Sequence, residues 1–180
     1  MSSEENLVRQ AIDGNQFAFT QLYDEHFDKV YRYIYFRVNS KAEAEDLTQE
    51  VFLKALQSIS SYKWRGAPFA SWLFRIAHNK VIDHFRKQSK QKKVPLDEAV
   101  AVSIEDPIAA VEQKFEIEEL AAAVKKLPPA QQEVISLRFI AALPIAEVAK
   151  TLGKSEGTVK ALQFNGTVSL RKILVGREDG

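Results

Sequence analysis

Apolar side chains recur at spacings of three and four residues along much of the chain, which is the pattern of helices that bury one stripe. In the first half this pattern predicts three helices, over residues 19–39, from Ser40 to about residue 59, and over residues 69–87. Ser40 and Glu43 form a capping box, in which each side chain can satisfy a free backbone N–H group of the other residue. Three or four helices would make a compact first domain.

The middle of the chain lacks this periodicity. Residues 88–112 contain two prolines and change from basic to acidic, which is typical of a linker. Beyond them four short helical patterns follow one another, at residues 120–126, 130–142 and 145–152 and from Ser155 onward. The pattern predicts an all-α protein of two small helical domains joined by a flexible linker. The first domain is expected over residues 1–90, the linker over 91–112, and a four-helix domain with a helix-turn-helix over 113–180.

The helical patterns on either side of Gly153 fit two helices that cross through a tight turn. Gly153 permits a left-handed turn residue, and Ala149 is small where the helices would touch. Ser155 can cap the last helix. The shared core would consist of Val148, Leu152, Val159 and Leu162. The first turn of the last helix would then present four side chains to base edges and phosphates: Ser155, Glu156, Thr158 and Lys160.

Charge changes sign in blocks along the chain, although the net charge is only +1. Residues 1–50 hold 5 basic and 10 acidic side chains, and residues 51–95 hold 10 basic and 1 acidic. Residues 96–120 hold 1 basic and 8 acidic, and residues 121–180 hold 9 basic and 5 acidic. The two basic blocks suggest two separate anion-binding faces. A solvated helix face could explain any single block, but it explains less well a 45-residue stretch with one acid.

The first basic block combines aromatic rings with cations. The predicted loop and helix start hold Tyr62, Lys63, Trp64, Arg65, Phe69 and Trp72, and the helix continues with Arg75, Asn79, Asp83 and Arg86 at helical spacing. Rings can stack on unpaired bases for roughly 1 to 3 kcal/mol each, while cations follow the backbone. This mixture suits single-stranded nucleic acid. Phe69 and Trp72 could equally be core residues, whereas the loop residues Trp64 and Arg65 are better placed for contact.

Several other kinds of chemistry have no support in the sequence. The chain has no cysteine, which excludes disulfides, thiolate zinc sites and a cysteine nucleophile. Gly153 to Ser155 resembles a phosphate-binding loop, but Val148 stands where that motif needs another glycine. The three histidines lack the spacing of a metal site, and no nucleophile is accompanied by a base. We therefore expect no metal, no cofactor and no enzymatic activity.

Membrane insertion and export are not expected either. The first residues read MSSEENLVRQ, without the basic start and apolar run of a signal peptide. No apolar stretch approaches the roughly 20 residues that would span a bilayer. A cytoplasmic protein is the expectation.

Three motifs, taken together, resemble one protein family over nearly the whole chain. Residues 42–55 read AEAEDLTQEVFLKA, residues 71–87 read SWLFRIAHNKVIDHFRK, and residues 127–160 read LPPAQQEVISLRFIAALPIAEVAKTLGKSEGTVK. They resemble, in this order, the core-polymerase-binding helix, the minus-ten-reading helix and the second domain of the extracytoplasmic-function (ECF) group of bacterial RNA polymerase sigma factors. The motifs are highly specific in order and spacing.

The resemblance implies a promoter-specificity subunit with three sets of contact residues. Core RNA polymerase would be bound through Asp46, Leu47, Gln49, Glu50 and Phe52. Minus-ten promoter DNA, melted to a single strand, would be bound by Lys63, Trp64, Arg65, Trp72, Arg75, Asn79, Asp83, Arg86 and Lys87. The duplex minus-thirty-five element would be read by Lys154, Ser155, Glu156, Thr158, Lys160, Gln163 and Arg171. The family also implies an anti-sigma factor as a partner, and a base pulled from the duplex needs a dedicated pocket.

One departure from the family lies late in the last helix, where basic residues are usual. Here the chain reads Gln163-Phe164-Asn165-Gly166-Thr167. Glycine inside a helix costs roughly 1 kcal/mol relative to alanine, and Asn-Gly favours a turn. The helix is therefore expected to bend or end early, which leaves phosphate contacts to Arg171 and Lys172. On this hypothesis, Gly166→Ala should tighten promoter binding.

Two other function classes remain open from the sequence. A conventional helix-turn-helix regulator would use its first domain to sense a ligand or to dimerise, but it does not explain the basic aromatic loop. Such a dimeric regulator binds duplex sites alone, whereas a sigma factor typically does so poorly without polymerase. A protein-binding adaptor predicts no DNA crosslinks at Trp64 or Thr158.

Overall fold

The computed structural model describes residues 3–64, 67–91 and 112–179, and all regular structure within these ranges is helical. The helices are α1 (Ser3–Ile12), α2 (Gln16–Val38), α3 (Lys41–Ser58), α4 (Phe69–Gln91), α5 (Glu112–Lys125), α6 (Pro129–Ile135), α7 (Ile145–Leu152) and α8 (Glu156–Asp179). A 3₁₀ turn, Ile59–Ser61, follows α3, and a π-helical turn, Ser136–Ile140, continues α6. The all-α class predicted from the apolar pattern is confirmed. The predicted linker lies outside the described residues apart from its two ends.

Local capping explains where α2 and α3 begin. The Asn15 side chain accepts hydrogen bonds from the backbone N–H groups of Phe17 and Ala18, at 2.9 and 3.2 Å. Ser40 Oγ accepts from the N–H of Glu43 at 3.3 Å, as the capping box predicts. The Glu43 carboxylate instead contacts α4. Its Oε1 accepts a hydrogen bond from Gln88 Nε2 at 3.3 Å. Of the two hydrogen bonds of the predicted capping box, the structure therefore shows the one from the Glu43 N–H group to Ser40 Oγ.

α1 was not predicted, and it covers the core of the first half. Its Val8 and Ala11 are buried and join the cluster formed by α2, α3 and α4. The fully buried side chains of this cluster include Tyr33 and Phe74, whose rings meet edge to face at 5.6 Å. Packing against these helices determines which face of α4 is buried, and therefore which face is exposed.

The second half contains the predicted helix-turn-helix. α7 ends at Gly153, which has the left-handed φ of 67° that favours glycine. Val148, Ala149 and Val159 are buried between α7 and α8, as the sequence predicts. The connection from the π-helical turn to α7 passes through Ala142, which has a φ of 60°. A left-handed backbone is unfavourable for alanine, so this connection holds local strain.

The prediction that the last helix bends or ends near Gly166 is wrong. α8 is one continuous helix from Glu156 to Asp179. Gly166 is buried where α8 lies against α6, and a Cβ atom there would be 3.0 Å from Ile135 Cγ1 and 3.2 Å from Ile135 Cδ1. The glycine therefore permits a close approach of two helices rather than a turn. The hypothesis that Gly166→Ala tightens promoter binding loses its structural basis.

The two halves pack against each other. Val134, Leu137 and Leu143 from the second half are buried in the same cluster as the core of the first half. In the opposite direction, Phe36 of α2 is 2% exposed and is buried against apolar side chains of α5 and α6. Along the described ranges, the structure holds no helix long and apolar enough to cross a membrane.

Candidate nucleic-acid interface

The loop between the 3₁₀ turn and α4 carries a chain of aromatic contacts. The Tyr62 ring lies 5.0 Å from Trp72, 5.8 Å from Phe69 and 6.4 Å from Trp64, centroid to centroid. Phe69 is fully buried, which gives it the core role that the sequence left open. Trp64 and Trp72 are half-buried. Arg65, a predicted contact residue in this loop, lies outside the described residues.

A cavity of about 520 Å³ opens beside this loop. Lys63 and Trp72 line it, together with Arg75 one turn further along α4. Glu147 and Lys150 of α7, in the second half, also line it. Aromatic and cationic side chains thus line one partly open cavity, a combination that suits an unpaired base. Trp64 contacts the Tyr62 ring and is not among the residues that line the cavity.

The outer face of α4 carries the other predicted contact residues of the first half. Asn79, Asp83, Arg86 and Lys87 are all exposed. Arg86 Nη1 lies 3.7 Å from the Asp83 carboxylate, one turn away on the same helix, so this part of the face is partly neutralised. Arg75 is only half-exposed because its Nη2 lies 3.7 Å from Glu147 Oε1. The structure therefore brings Lys63, Trp72 and Arg75 together and leaves the remaining residues along an open surface.

The first turn of α8 is held in place by the cap that the sequence predicts. Ser155 Oγ accepts from the Thr158 N–H at 3.1 Å and donates to Thr158 Oγ1 at 3.0 Å. Ser155, Glu156, Thr158 and Lys160 are exposed, so this end of the helix is accessible to a duplex. Lys154 is half-buried in the turn before it.

Further along α8 the predicted contact residues fall into two groups. Gln163 is half-buried and its Oε1 faces the interior, which separates it from the accessible first turn. Arg171 is exposed and lies on the same face as Lys160, because eleven residues correspond to about three full turns. Phe164, which was not predicted as a contact, is exposed on this face between them. An apolar residue between two cations on one helix face was the sequence signal that could have identified Phe164.

α3 presents a different surface from the one predicted. Asp46, Gln49 and Glu50 are exposed, but Leu47 and Phe52 are buried. Phe52 packs against the rings of Tyr23 and Phe27, at 4.7 and 6.1 Å. Leu47 and Phe52 are therefore core residues and are not available for the predicted contact with polymerase. Two leucines of the same helix, Leu53 and Leu56, are instead exposed at 56% and 51%.

One group of potential metal ligands was not predicted. Glu4, Glu25 and His26 offer ligand atoms within 4.8 Å of one another. His26 Nε2 already lies 3.2 Å from Glu4 Oε1, and this contact joins α1 to α2. The group therefore has a structural explanation.

Comparison with known families agrees with this geometry. The model of sigma-70 region 2 matches residues 22–91, which include α3, the aromatic loop and α4. The model of sigma-70 region 4 matches residues 123–172, which include the helix-turn-helix. Both candidate nucleic-acid surfaces thus lie within matched ranges.

Relatives and solved structures point the same way. The chain is 42% identical to the ECF RNA polymerase sigma factor BldN of Streptomyces coelicolor. The match covers 93% of this chain but only 64% of BldN. It is 33% identical to the ECF RNA polymerase sigma factor SigW of Bacillus subtilis, covering 93% of this chain and 94% of SigW. The structure of CnrH in complex with the cytosolic domain of CnrY has the same fold, with a TM-score of 0.75, 24% identity, and coverage of 97% and 99%. The chain belongs to the ECF sigma factors of the sigma-70 family.

Proposed function

We propose that this protein binds core RNA polymerase, directs it to specific promoters and helps to open the DNA at the minus-ten element. Residues 1–90 form the half that binds polymerase and melted DNA, and residues 113–180 form the half that reads the minus-thirty-five duplex. Residues 91–112 connect them. The protein does no chemistry of its own in this role, and it acts in the cytoplasm.

The cavity beside the aromatic loop carries the proposal. It combines Trp72, a ring available for stacking, with the cations Lys63 and Arg75. A base pulled out of the duplex loses its stacking, at a cost of a few kcal/mol, and a ring at the cavity wall can return part of that energy. The cations can hold the phosphates on either side. Asn79 and Lys87 extend the same surface along α4.

The exposed face of α3 supports binding to a coiled coil of the polymerase. Asp46, Gln49, Leu53 and Leu56 are spaced by three, four and three residues, and all four are exposed. This spacing places them in one line, as on a helix that packs into a coiled-coil seam. Leu53 and Leu56 would supply the apolar contact that Leu47 and Phe52 cannot supply. Glu50 would contribute charge at the edge, beside Lys80 at 3.7 Å.

The accessible first turn of α8 supports the reading of duplex DNA. Thr158 and Lys160 project from a helix start whose backbone N–H groups favour phosphate. Arg171 lies on the face of Lys160, so it can contact the backbone further along. Lys154 would add a phosphate contact, whereas Gln163 would have to turn outward.

An anti-sigma factor is a proposed partner. The solved structure of CnrH holds the cytosolic domain of CnrY, and a sigma factor RpoE from Bartonella quintana was solved with the anti-sigma factor NepR. Both structures share this fold, with TM-scores of 0.75 and 0.71. By this analogy, we infer that a protein partner controls the chain.

Reconstituted transcription tests the proposal. Purified bacterial core polymerase and a pool of promoter fragments would be incubated with and without the protein. Transcripts from a defined subset that appear only with the protein are the expected result. The absence of stimulation, together with tight salt-sensitive duplex binding by the protein alone, would instead identify a conventional helix-turn-helix regulator. Absence of both would identify an adaptor.

A Lys63→Ala variant sharpens the same assay. Removing this cation from the cavity should reduce transcript yield several-fold, because one phosphate or base contact is lost. Lys126→Ala removes an exposed cation outside both nucleic-acid surfaces and is the matched control. Equal yields from the two variants would show that the cavity does not hold promoter DNA.

A further inference from the structure

Three cations on α4 each lie beside a carboxylate. The pairs share a distance of 3.7 Å between nitrogen and oxygen and are Arg75 with Glu147, Lys80 with Glu50, and Arg86 with Asp83. Their acids belong to α7, to α3 and to α4 itself. Of these three acids, only Glu50 lies on the helix face that the proposed function assigns to polymerase. Its pair with Lys80 is therefore the one of the three that polymerase can alter by direct contact.

Polar contacts between α3 and α4 fix the position of this pair. Further along the two helices, the Glu43 carboxylate accepts from Gln88 at 3.3 Å and lies 3.4 Å from His84 Nε2. Going from Glu43 to Glu50 along α3 corresponds to going from Gln88 back to Lys80 along α4, so the two helices run antiparallel. Glu50 and Lys80 thus face each other because of the way in which α3 packs against α4.

Lys80 lies at the edge of the α4 face that carries the predicted minus-ten contacts, although it is not one of them. It follows Asn79 in the sequence, and Lys87 lies two turns further along on nearly the same side of the helix. Asn79 and Lys87 are exposed, and the Lys80 side chain is 31% exposed. Because the lysine ammonium is carried on a flexible four-carbon stem, Lys80 can turn from Glu50 toward a strand bound along Asn79 and Lys87.

The contact between Glu50 and Lys80 is of a kind that other charges can replace. The Glu50 side chain is 53% exposed, so water and salt screen the pair, and 3.7 Å is longer than a hydrogen bond. Asp46 and Glu50 are both exposed acids, so a protein surface that fits this face is basic. A cation that approaches Glu50 competes with Lys80, and a phosphate that approaches Lys80 competes with Glu50. Each exchange removes the competitor of the other.

We propose, building on the proposed function, that Lys80 is a further contact residue for the melted minus-ten strand and that Glu50 restrains it until polymerase binds. In the free protein, Glu50 holds the Lys80 ammonium between α3 and α4. In the complex, a basic side chain of polymerase pairs with Glu50, and Lys80 turns to a DNA phosphate. Through this pair, polymerase binding and single-strand binding strengthen each other by the same factor.

The first test uses the free protein and a fluorescent single-stranded 12-nucleotide DNA of mixed sequence. Glu50→Gln should raise the affinity about twofold to fivefold, as expected from the loss of an exposed ion pair. Glu45→Gln makes the same change in charge at an exposed position of α3 close to Tyr31 and should leave the affinity near that of the parent protein. When Lys80→Gln is already present, Glu50→Gln should have no more effect than Glu45→Gln.

The second test repeats the measurement with the complex of this protein and core polymerase. Lys80→Gln should lower the affinity of the complex about twofold to fivefold and that of the free protein less, because Glu50 already occupies the cation there. It should also reduce the slope of log affinity against log salt by about 0.7 in the complex, the value for one phosphate contact of a single strand. Lys126→Gln, at an exposed position outside both surfaces, is the control and should change neither quantity.

The outcomes separate this proposal from the proposed function. Circular dichroism confirms that each variant is folded. An equal effect of Glu50→Gln with and without Lys80 would overturn the restraint, and an equal effect of Lys80→Gln with and without polymerase would overturn the release. If no complex with core polymerase forms, the proposed function fails and the release fails with it, whereas the free protein still shows whether Glu50 restrains Lys80.

Discussion

The two candidate nucleic-acid surfaces of this sigma factor are built in different ways. The first turn of α8 is exposed and is held by neighbours in sequence, namely the left-handed Gly153 and the cap formed by Ser155. The cavity beside the aromatic loop, by contrast, is lined by residues of α4 and α7, which are far apart in the sequence. A surface made of local contacts depends little on how the two halves pack, whereas the cavity, lined from both halves, depends on it directly.

The largest effect that tests this comparison is expected at Gly166. Gly166→Val places side-chain atoms against Ile135, which is itself buried, so overpacking should destabilise the second half by about 2 to 3 kcal/mol. Gly176→Ala, on the same helix with open space around it, is the control and should be neutral or stabilising. Urea unfolding measures both. A neutral Gly166→Val would mean that α8 does not depend on its close contact with α6.

A smaller effect is expected from the cap of α8. Ser155→Ala removes the hydrogen bond to the Thr158 N–H and should cost about 1 kcal/mol. Ser155→Asp keeps an acceptor at this position and should restore most of the stability. If the alanine variant loses affinity for single-stranded DNA as well as for the duplex, the start of α8 and the cavity are not independent surfaces.

Relief of strain at Ala142 should act in the opposite direction. Its φ of 60° is accessible to glycine, so Ala142→Gly should stabilise the protein by up to about 1 kcal/mol, partly offset by the added freedom of the unfolded chain. Ala146→Gly, at an exposed position inside α7, should destabilise by a similar amount and serves as the control. Thermal unfolding compares them, and a lower Tm for Ala142→Gly would contradict the assignment of strain.

The smallest effect concerns His78 at the junction of the halves. Burial and the nearby Arg37 charge lower the pKa of His78 from 6.5 to about 4. Tyr33 of α2 and Glu133 of α6 also face the ring. Between these two pKa values the unfolded chain binds a proton that the folded protein excludes, so this contribution to stability is lost as pH falls. From pH 7 to pH 6 the loss should be below about 1 kcal/mol. His78→Gln should flatten the pH dependence, and identical curves would contradict it.

The difference between the two surfaces also explains what the sequence could predict. Spacing, a glycine and a cap are local signals, and they placed α7, the turn and the start of α8 correctly. α1 also carries a local signal, the apolar spacing of Val8 and Ala11, although the predicted helices do not include it.

Such local signals do not predict tertiary contacts. Helix propensity predicts a break at Gly166, whereas the role of this glycine is set by Ile135 on another helix. The sequence indicates a nucleic-acid site at Trp72 and Arg75 but not that Glu147 lines the same cavity. In the same way, periodicity cannot separate the buried Phe52 from the exposed Leu53, because the identity of the inward face depends on how α3 meets α2.

The most direct test of the account measures permanganate reactivity of promoter thymines for each complex formed with core polymerase. Trp72→Ala should still form complexes, through the intact α8, but should lose most of the reactive thymines at the minus-ten element. Thr158→Ala should form fewer complexes, each with the reactivity of the parent protein. Full melting by Trp72→Ala would contradict the assignment of the cavity to the opened strand.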